Sequence, residues 1–363
     1  TTIGAFVATL NIYQSLGTKF EKIYSRIRTW LTAAGPAVGI TSLVNQPTTT
    51  LSRKQKYQRR STETEHLVSK QQEIEAPLRM RGSGSFPDQK FYDSLPVKVN
   101  EVNKDHLRSL QQTSVQVPQG SLVAVTGPHG SGKATLMRML SDIELPDSGT
   151  LFIPEQLRCL NVSYNPDVLE HLSLLDNVTF GAQEKEFNRV LRICRRLGFP
   201  QQWLEHLHDD ELRRVQDEEP DLGWCSFLSV SEKRKVHLAR ALVYDPEIMI
   251  MHRPLNHLDI HEVKDFMSLL REFVDNKGVE NDPDQVNDRR MRTLFVSAAD
   301  TGASVDELIK VSDVVWHMPA NSRLEVKPGG NLKVTESKVN GTNGAMQEGL
   351  APVPEIASES LPI

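Results

Sequence analysis

Cysteine, long apolar runs, excess positive charge and an initiator methionine are all scarce or missing in this 363-residue chain. The three cysteines, Cys159, Cys194 and Cys225, are odd in number and far apart. They form neither a disulfide framework nor a metal-ligand spacing, which fits a reducing compartment. Cys194 falls on the apolar face of an expected helix, where packing is its role. No window reaches 18 consecutive apolar residues, so no complete membrane-spanning helix is legible. A net charge of −5 excludes a dedicated nucleic-acid binder, which needs a broad phosphate-neutralising surface. The chain opens Thr1-Thr2 rather than with Met. It therefore reads as a fragment or processed product, and no signal peptide is visible.

What is present divides the chain into four parts. Over residues 1–47, Phe6, Leu10, Tyr13, Leu16, Phe20, Ile23, Ile27 and Leu31 recur every three or four positions, the period of a helix. Ile3 to Leu16 carries almost no charge and fits the cytoplasmic-side end of a spanning helix. Pro36 and Gln46-Pro47-Thr48 mark breaks. Residues 48–94 are polar and read as a linker, with Gly82-Ser-Gly-Ser85 and a basic run of Arg53, Lys54, Lys56, Arg59 and Arg60. That run is either a solvated stretch or a contact for anionic lipid.

Residues 95–328 read as a compact domain. Val97, Val99 and Val102 suggest one strand, and Val115-Gln-Val117 a second. Ile248-Met-Ile-Met251 is apolar throughout and Leu122-Val-Ala-Val-Thr126 and Thr293-Leu-Phe-Val-Ser297 nearly so, as expected of central parallel strands. Residues 184–207 predict a single amphipathic helix. Strands alternating with helices imply an α/β fold with a parallel sheet. Residues 329–363 lack periodicity and read as a disordered tail.

The most informative stretch follows the third strand: Gly127-Pro128-His129-Gly130-Ser131-Gly132-Lys133-Ala134-Thr135. Glycines let successive backbone N–H groups turn inward on a polyphosphate, and the following helix adds partial positive charge at its N-terminus. Lys133 supplies a point charge for the terminal phosphates. The next position of such a loop carries a hydroxyl for Mg²⁺, and here it is Ala134. The loop keeps a phosphate cradle with an impaired grip on metal.

Further motifs follow in order. Leu228-Ser-Val-Ser-Glu232 leads into a basic helix ending Leu238-Ala-Arg-Ala-Leu242, and Asp245-Pro-Glu precedes the Ile248 strand. Pro254 and Leu258-Asp259 come next, and Asp147-Ser-Gly-Thr150 and Asp176-Asn-Val178 lie upstream. Together these resemble the nucleotide-binding domain of an ABC transporter of the exporter type, preceded by the end of a membrane domain. The resemblance implies a P-loop NTPase-type parallel sheet core, an N-terminal antiparallel β region and an inserted helical subdomain at about 167–245. It also implies ATP as cofactor and a second such domain as head-to-tail partner. The chain's own or its partner's transmembrane domain would sit above it, with this domain on the cytoplasmic side of a membrane. Ser229 and Ser231 would face the partner's nucleotide.

The departures from the family pattern cluster on one function. The acid pair that closes the second motif is His252 and Arg253 here, an exchange of anions for potential cations. The switch histidine is Ala299, and the glutamine that senses metal and water is Asn165. The signature glycines are Val230 and Ser231, and His106 is the nearest candidate to stack on adenine. Phosphoryl transfer relies on Mg²⁺ and on a group that orients water, and losing one positioned group costs about 10²–10³ in rate. No catalytic position is intact and no metal site is expected, so hydrolysis at this chain's own loop should be negligible. Arg253 could replace Mg²⁺ in part. Three readings stand: a degenerate half-transporter that binds nucleotide beside a competent partner, an interaction module that binds none, and an active ATP-driven exporter. The third requires the acid pair and the switch histidine.

Overall fold

The computed structural model describes residues 2–45, 49–79, 95–183, 186–256, 260–298 and 302–331. Two compact units result, Thr1–Arg59 and Arg60–Ile363. The first contains helix α1 (Ile3–Val44), which runs through Pro36 without the expected break. None of its residues is buried, so the apolar stripe from Phe6 to Leu31 lies open. Thr9, Thr29 and Thr41 return their hydroxyls to the carbonyl four residues earlier. Among the described residues no helix is long and apolar enough to cross a membrane.

The stretch expected as a linker is helical over much of its length, as α2 (Thr50–Arg79). From Arg60 onward α2 belongs to the second unit, where Arg60, Thr64 and Val68 form a buried stripe at four-residue spacing. That stripe packs the helix against the domain, which a polar composition alone does not announce.

In the second unit, strands β1 (Val97–Asn103), β2 (Thr113–Val117) and β4 (Ser148–Phe152) form an antiparallel sheet in the order β2-β1-β4. The spacing Val97, Val99, Val102 skips three because the ladder is irregular between Val99 and Val102. Glu101 takes a positive φ there, and Gly149 opposite approaches so closely that a Cβ would meet the Glu101 carbonyl at 2.3 Å.

The larger sheet comprises β3 (Leu122–Thr126), β5 (Cys159–Val162), β6 (Ile248–His252), β7 (Thr293–Ser297), β8 (Val314–His317) and β9 (Glu325–Pro328). Its order is β5-β6-β7-β3-β8-β9, parallel except at the β9 edge. Alternate residues feed two cores, as period-two geometry requires. Val123, Val125, Ile248, Ile250 and Phe295 meet helix α3 (Lys133–Leu140) and the antiparallel sheet. Leu122, Ala124, Met249, Met251 and Leu294 meet the remaining helices.

Those helices are α4 (Leu174–Val178), α5 (Phe187–Arg196), α6 (Gln201–Gln216), α7 (Val230–Tyr244), α8 (Ile260–Asp275) and α9 (Ala303–Val311). The single helix expected over 184–207 is two. Gly198 takes φ +72° and Pro200 caps α6, so the chain turns between them. Buried Val190, Ile193, Cys194, Trp203, Leu204 and Leu207 still share one core. The expected tail begins a little late: Gly329, Gly330 and Asn331 donate backbone hydrogen bonds to Asp313, Ile309 and Ser312. Residues 332–363 lie outside the described ones.

Candidate functional site

The loop 127–135 emerges from the C-terminal end of β3, between β7 and β8. This is where open α/β sheets gather their ligands. Its shape is set by close contacts. A Cβ on Gly127 would meet the Met318 carbonyl at 2.1 Å, and one on Gly132 would meet Leu107 at 2.9 Å. The 104–107 segment thus packs on the loop, with His106, the residue assigned to adenine, exposed beside it. The Ser109 hydroxyl donates to the Ser131 carbonyl. Pro128, His129 and Gly130 are exposed, and Ala134 and Thr135 are half-buried.

Lys133 opens α3 and is 4% exposed. Its Nζ donates to the Gly127 carbonyl and, at 2.9 Å, to the Pro128 carbonyl. The ammonium therefore lies inside the loop. Ser131 Oγ is buried with no hydrogen-bond partner. An orphaned hydroxyl beside an ammonium and a helix start is a donor set that fits phosphate. It does not fit a divalent metal. Ala134 offers no oxygen, and no group of three or more His, Cys, Asp or Glu among the described residues could hold one.

His252 ends β6, opposite Ser297 on β7. Its Nδ1 lies 2.7 Å from Ser297 Oγ. Burial, then the charges of Arg253, Lys133 and Arg138, pull its imidazole down to about 4. This corrects the expectation of a cationic pair: near neutral pH His252 is uncharged, and only Arg253 carries positive charge there. Arg253 adopts φ +50°. Its N–H donates to both the carbonyl and the hydroxyl of Ser297 at 3.1 Å. A left-handed non-glycine residue at this place is strain held by two hydrogen bonds.

Asn165 is exposed, and its carbonyl accepts the Ser163 hydroxyl at 2.5 Å. Its loop is held from α7 by residues the sequence did not single out. Arg234 donates to the carbonyls of Tyr164 (2.8 Å) and Arg253 (3.2 Å), with its guanidinium 4.9 Å from the Tyr164 ring centre. Tyr164 in turn meets His252 edge-on at 6.3 Å. A basic helix signals solvation in sequence; only the fold turns one of its arginines inward.

Ser229 caps α7. Its hydroxyl accepts from the Glu232 N–H at 3.3 Å, and the Glu232 carboxylate accepts from the Ser229 N–H at 2.9 Å, a reciprocal capping box. Ser231 Oγ lies 3.1 Å from Ser229 Oγ. Val230 between them is 60% exposed. Ala299 and the Leu258-Asp259 pair lie outside the described residues.

Comparison with known proteins supplies the family. A model of the ABC transporter family matches residues 110–256. The probable sulfate/thiosulfate import ATP-binding protein CysA of Chlorella vulgaris is 30% identical over 175 residues, 46% of this chain and 69% of that one. The chain belongs to the ABC transporter family. Its described domain is an ATP-binding domain of that family, whose members bind ATP. The sulfate/thiosulfate import ATP-binding protein CysA of Synechococcus elongatus is 30% identical over 194 residues, 50% of this chain and 53% of that one. CysA 2 of Rhizobium meliloti is 28% identical over 198 residues, 51% of each chain. This ABC chain thus spans about half the length of the curated relatives it matches. Among solved structures, a bacterial Atm1-family ABC exporter with ATP bound aligns at TM-score 0.47 and 20% identity, over 70% of this chain and 43% of that one.

Proposed function

We propose that this ATP-binding domain serves an exporter-type transporter, holds nucleotide without efficient hydrolysis, and pairs head to tail with a competent second domain. The observation that carries the reading is the charge around β6. Arg253, Lys133 and Arg138 all bear on His252 as cations, at the strand end where an Mg²⁺-dependent site needs carboxylates. A triphosphate brings about four negative charges of its own, so a cationic cluster with a phosphate-shaped loop suits it without metal. Pairing is supported by the exposed Val230 and Ser229 at the start of α7, which leave that surface open to another chain. A membrane setting is supported by the open apolar stripe of α1.

The test is saturable binding of a fluorescent ATP analogue in Mg²⁺ and in EDTA, with steady-state hydrolysis measured alongside. Binding should survive EDTA, turnover should be absent, and Lys133→Ala should weaken binding by about 30-fold or more, as expected for a lost charged partner. Binding abolished by EDTA, or turnover that disappears in Lys133→Ala, would overturn the reading. The second reading, an interaction module that binds no nucleotide, draws on the contacts Lys133 makes to its own loop's carbonyls. No saturable binding under either condition would select it.

A further inference from the structure

We propose that Arg60, on a helix far from the loop in sequence, is a positioning residue for the nucleotide site. It clamps Asp142, fixing the far end of the helix whose near end carries Lys133. The Arg60 guanidinium spans both carboxylate oxygens of Asp142, one of them at 3.0 Å, and its Nε donates to the Leu151 carbonyl at 3.2 Å. Leu151 is on β4 and 1% exposed. One side chain therefore ties α2, the end of α3 and the antiparallel sheet together.

Asp142 is well placed for such a clamp. It sits just beyond α3 with φ +58°, so its backbone direction is set by context rather than preference. Ile143 and Glu144 then fold their N–H groups back onto the Arg138 carbonyl, at 2.9 and 3.2 Å. The α3 terminus is thereby a rigid knot, and with Arg60 9% and Leu151 1% exposed, water competes poorly for the bond between them, while the Asp142 carboxylate stays partly open. A planar fork that meets both oxygens also resists rotation in a way a lysine does not.

Geometry gives the consequence. The eight residues of α3 span about 12 Å, so a tilt of 10° about the Asp142 end would move Lys133 by about 2 Å. Displacements of about 1 Å at a binding or reacting group cost up to about 100-fold. Short, rigid and held at both ends, α3 converts an event at α2 into a change at the loop.

The proposal rests on the loop being a nucleotide site, and the experiment separates the two ideas. Arg60→Gln, Asp142→Asn and Arg292→Gln are compared in the full chain. Arg292 forms a more deeply buried two-oxygen ion pair with Asp245, outside the loop, and serves as the control for loss of global stability. Two readouts are taken: affinity for the fluorescent ATP analogue, and amide hydrogen exchange over residues 131–136 without nucleotide. Arg60→Gln and Asp142→Asn should each weaken affinity about 10-fold or more and speed exchange in that segment. Arg292→Gln should lower global stability and change neither. Equal effects in all three variants, or unchanged exchange in both clamp variants, would overturn the clamp. If wild-type protein binds no nucleotide, the functional proposal falls while the exchange comparison still decides the clamp.

Discussion

The two ends of the larger sheet use the same side-chain types to opposite effect. Where β5, β6 and β7 begin, two buried or half-buried arginines each meet a carboxylate. Arg158 donates to both oxygens of Glu247 at 2.9 and 3.0 Å, and Arg292 to both oxygens of Asp245 at 3.0 Å. These pairs border a polar cavity of about 750 Å³, lined also by Arg192 and Glu280, which are themselves paired. Where β3, β6 and β7 end, the charges that lower His252 are those of Arg253, Lys133 and Arg138. At the first, balanced end Arg158, Arg292 and Arg192 are neutralised by their own carboxylates. At the second, Lys133, Arg138 and Arg253 gather near His252, with the orphaned Ser131 hydroxyl in the adjoining loop, and that arrangement makes it a candidate site. Equal numbers of arginines would look alike in composition; their surroundings distinguish the two ends.

The comparison can be broken most forcefully at the balanced end. Arg292→Ala leaves Asp245 and Glu247 without their shared cation, and should cost about 3 kcal/mol in urea unfolding. An effect near zero would mean that the pairs are ornamental. The same end should weaken in acid. Burial alone raises the Glu247 carboxyl, but hydrogen bonds from the Arg158 side chain and backbone outweigh it and hold the group below its ordinary value. A carboxyl lowered in the fold contributes stability above its unfolded value, about 4.3, and loses that contribution as pH falls through the folded one.

At the loop end the sharper probe is His252, followed by NMR titration. Without nucleotide it should titrate near 4; with nucleotide bound it should move up toward the ordinary histidine value, because phosphate offsets Arg253 and Lys133. The sign for stability follows. A histidine lowered in the fold contributes fully above about 6.5, and that contribution declines as pH falls toward 4. His252→Gln should flatten this dependence. A titration unmoved by saturating nucleotide would separate His252 from the site.

The smallest expected effect lies at the surface facing the proposed partner. Ser229→Ala removes the α7 cap and should cost about 1 kcal/mol of stability. Since Glu232 holds that hydroxyl within the chain, nucleotide binding by the isolated protein should be unchanged. A simultaneous loss of affinity would place Ser229 in this chain's own site.

Much of the fold was legible because its signals are local. The largely apolar strands 122–126, 248–251 and 293–297 each form at or within one residue of the expected bounds. The glycines and Lys133 mark a strand–loop–helix turn that no tertiary contact is needed to recognise. Other features were misread where local signals compete. Apolar periodicity joins α5 to α6 across Gly198 and Pro200, although both helices bury the same face. The polar composition of 50–79 conceals a helix whose buried stripe is only Arg60, Thr64 and Val68.

By itself, then, the sequence determined the α/β class, the place of the loop, and the absence of a hydroxyl or carboxylate side chain at Ala134, His252 and Arg253. Each of these depends on residue type and spacing along the chain. Tertiary structure alone decided that His252 is neutral, that Arg234 faces inward, that Ser229 is engaged with Glu232, and that Arg60 reaches Asp142 from 82 positions away. Those outcomes turn on burial and on which charges become neighbours. Burial and proximity set the protonation and pairing of a side chain, and neither is a property of the linear order of residues.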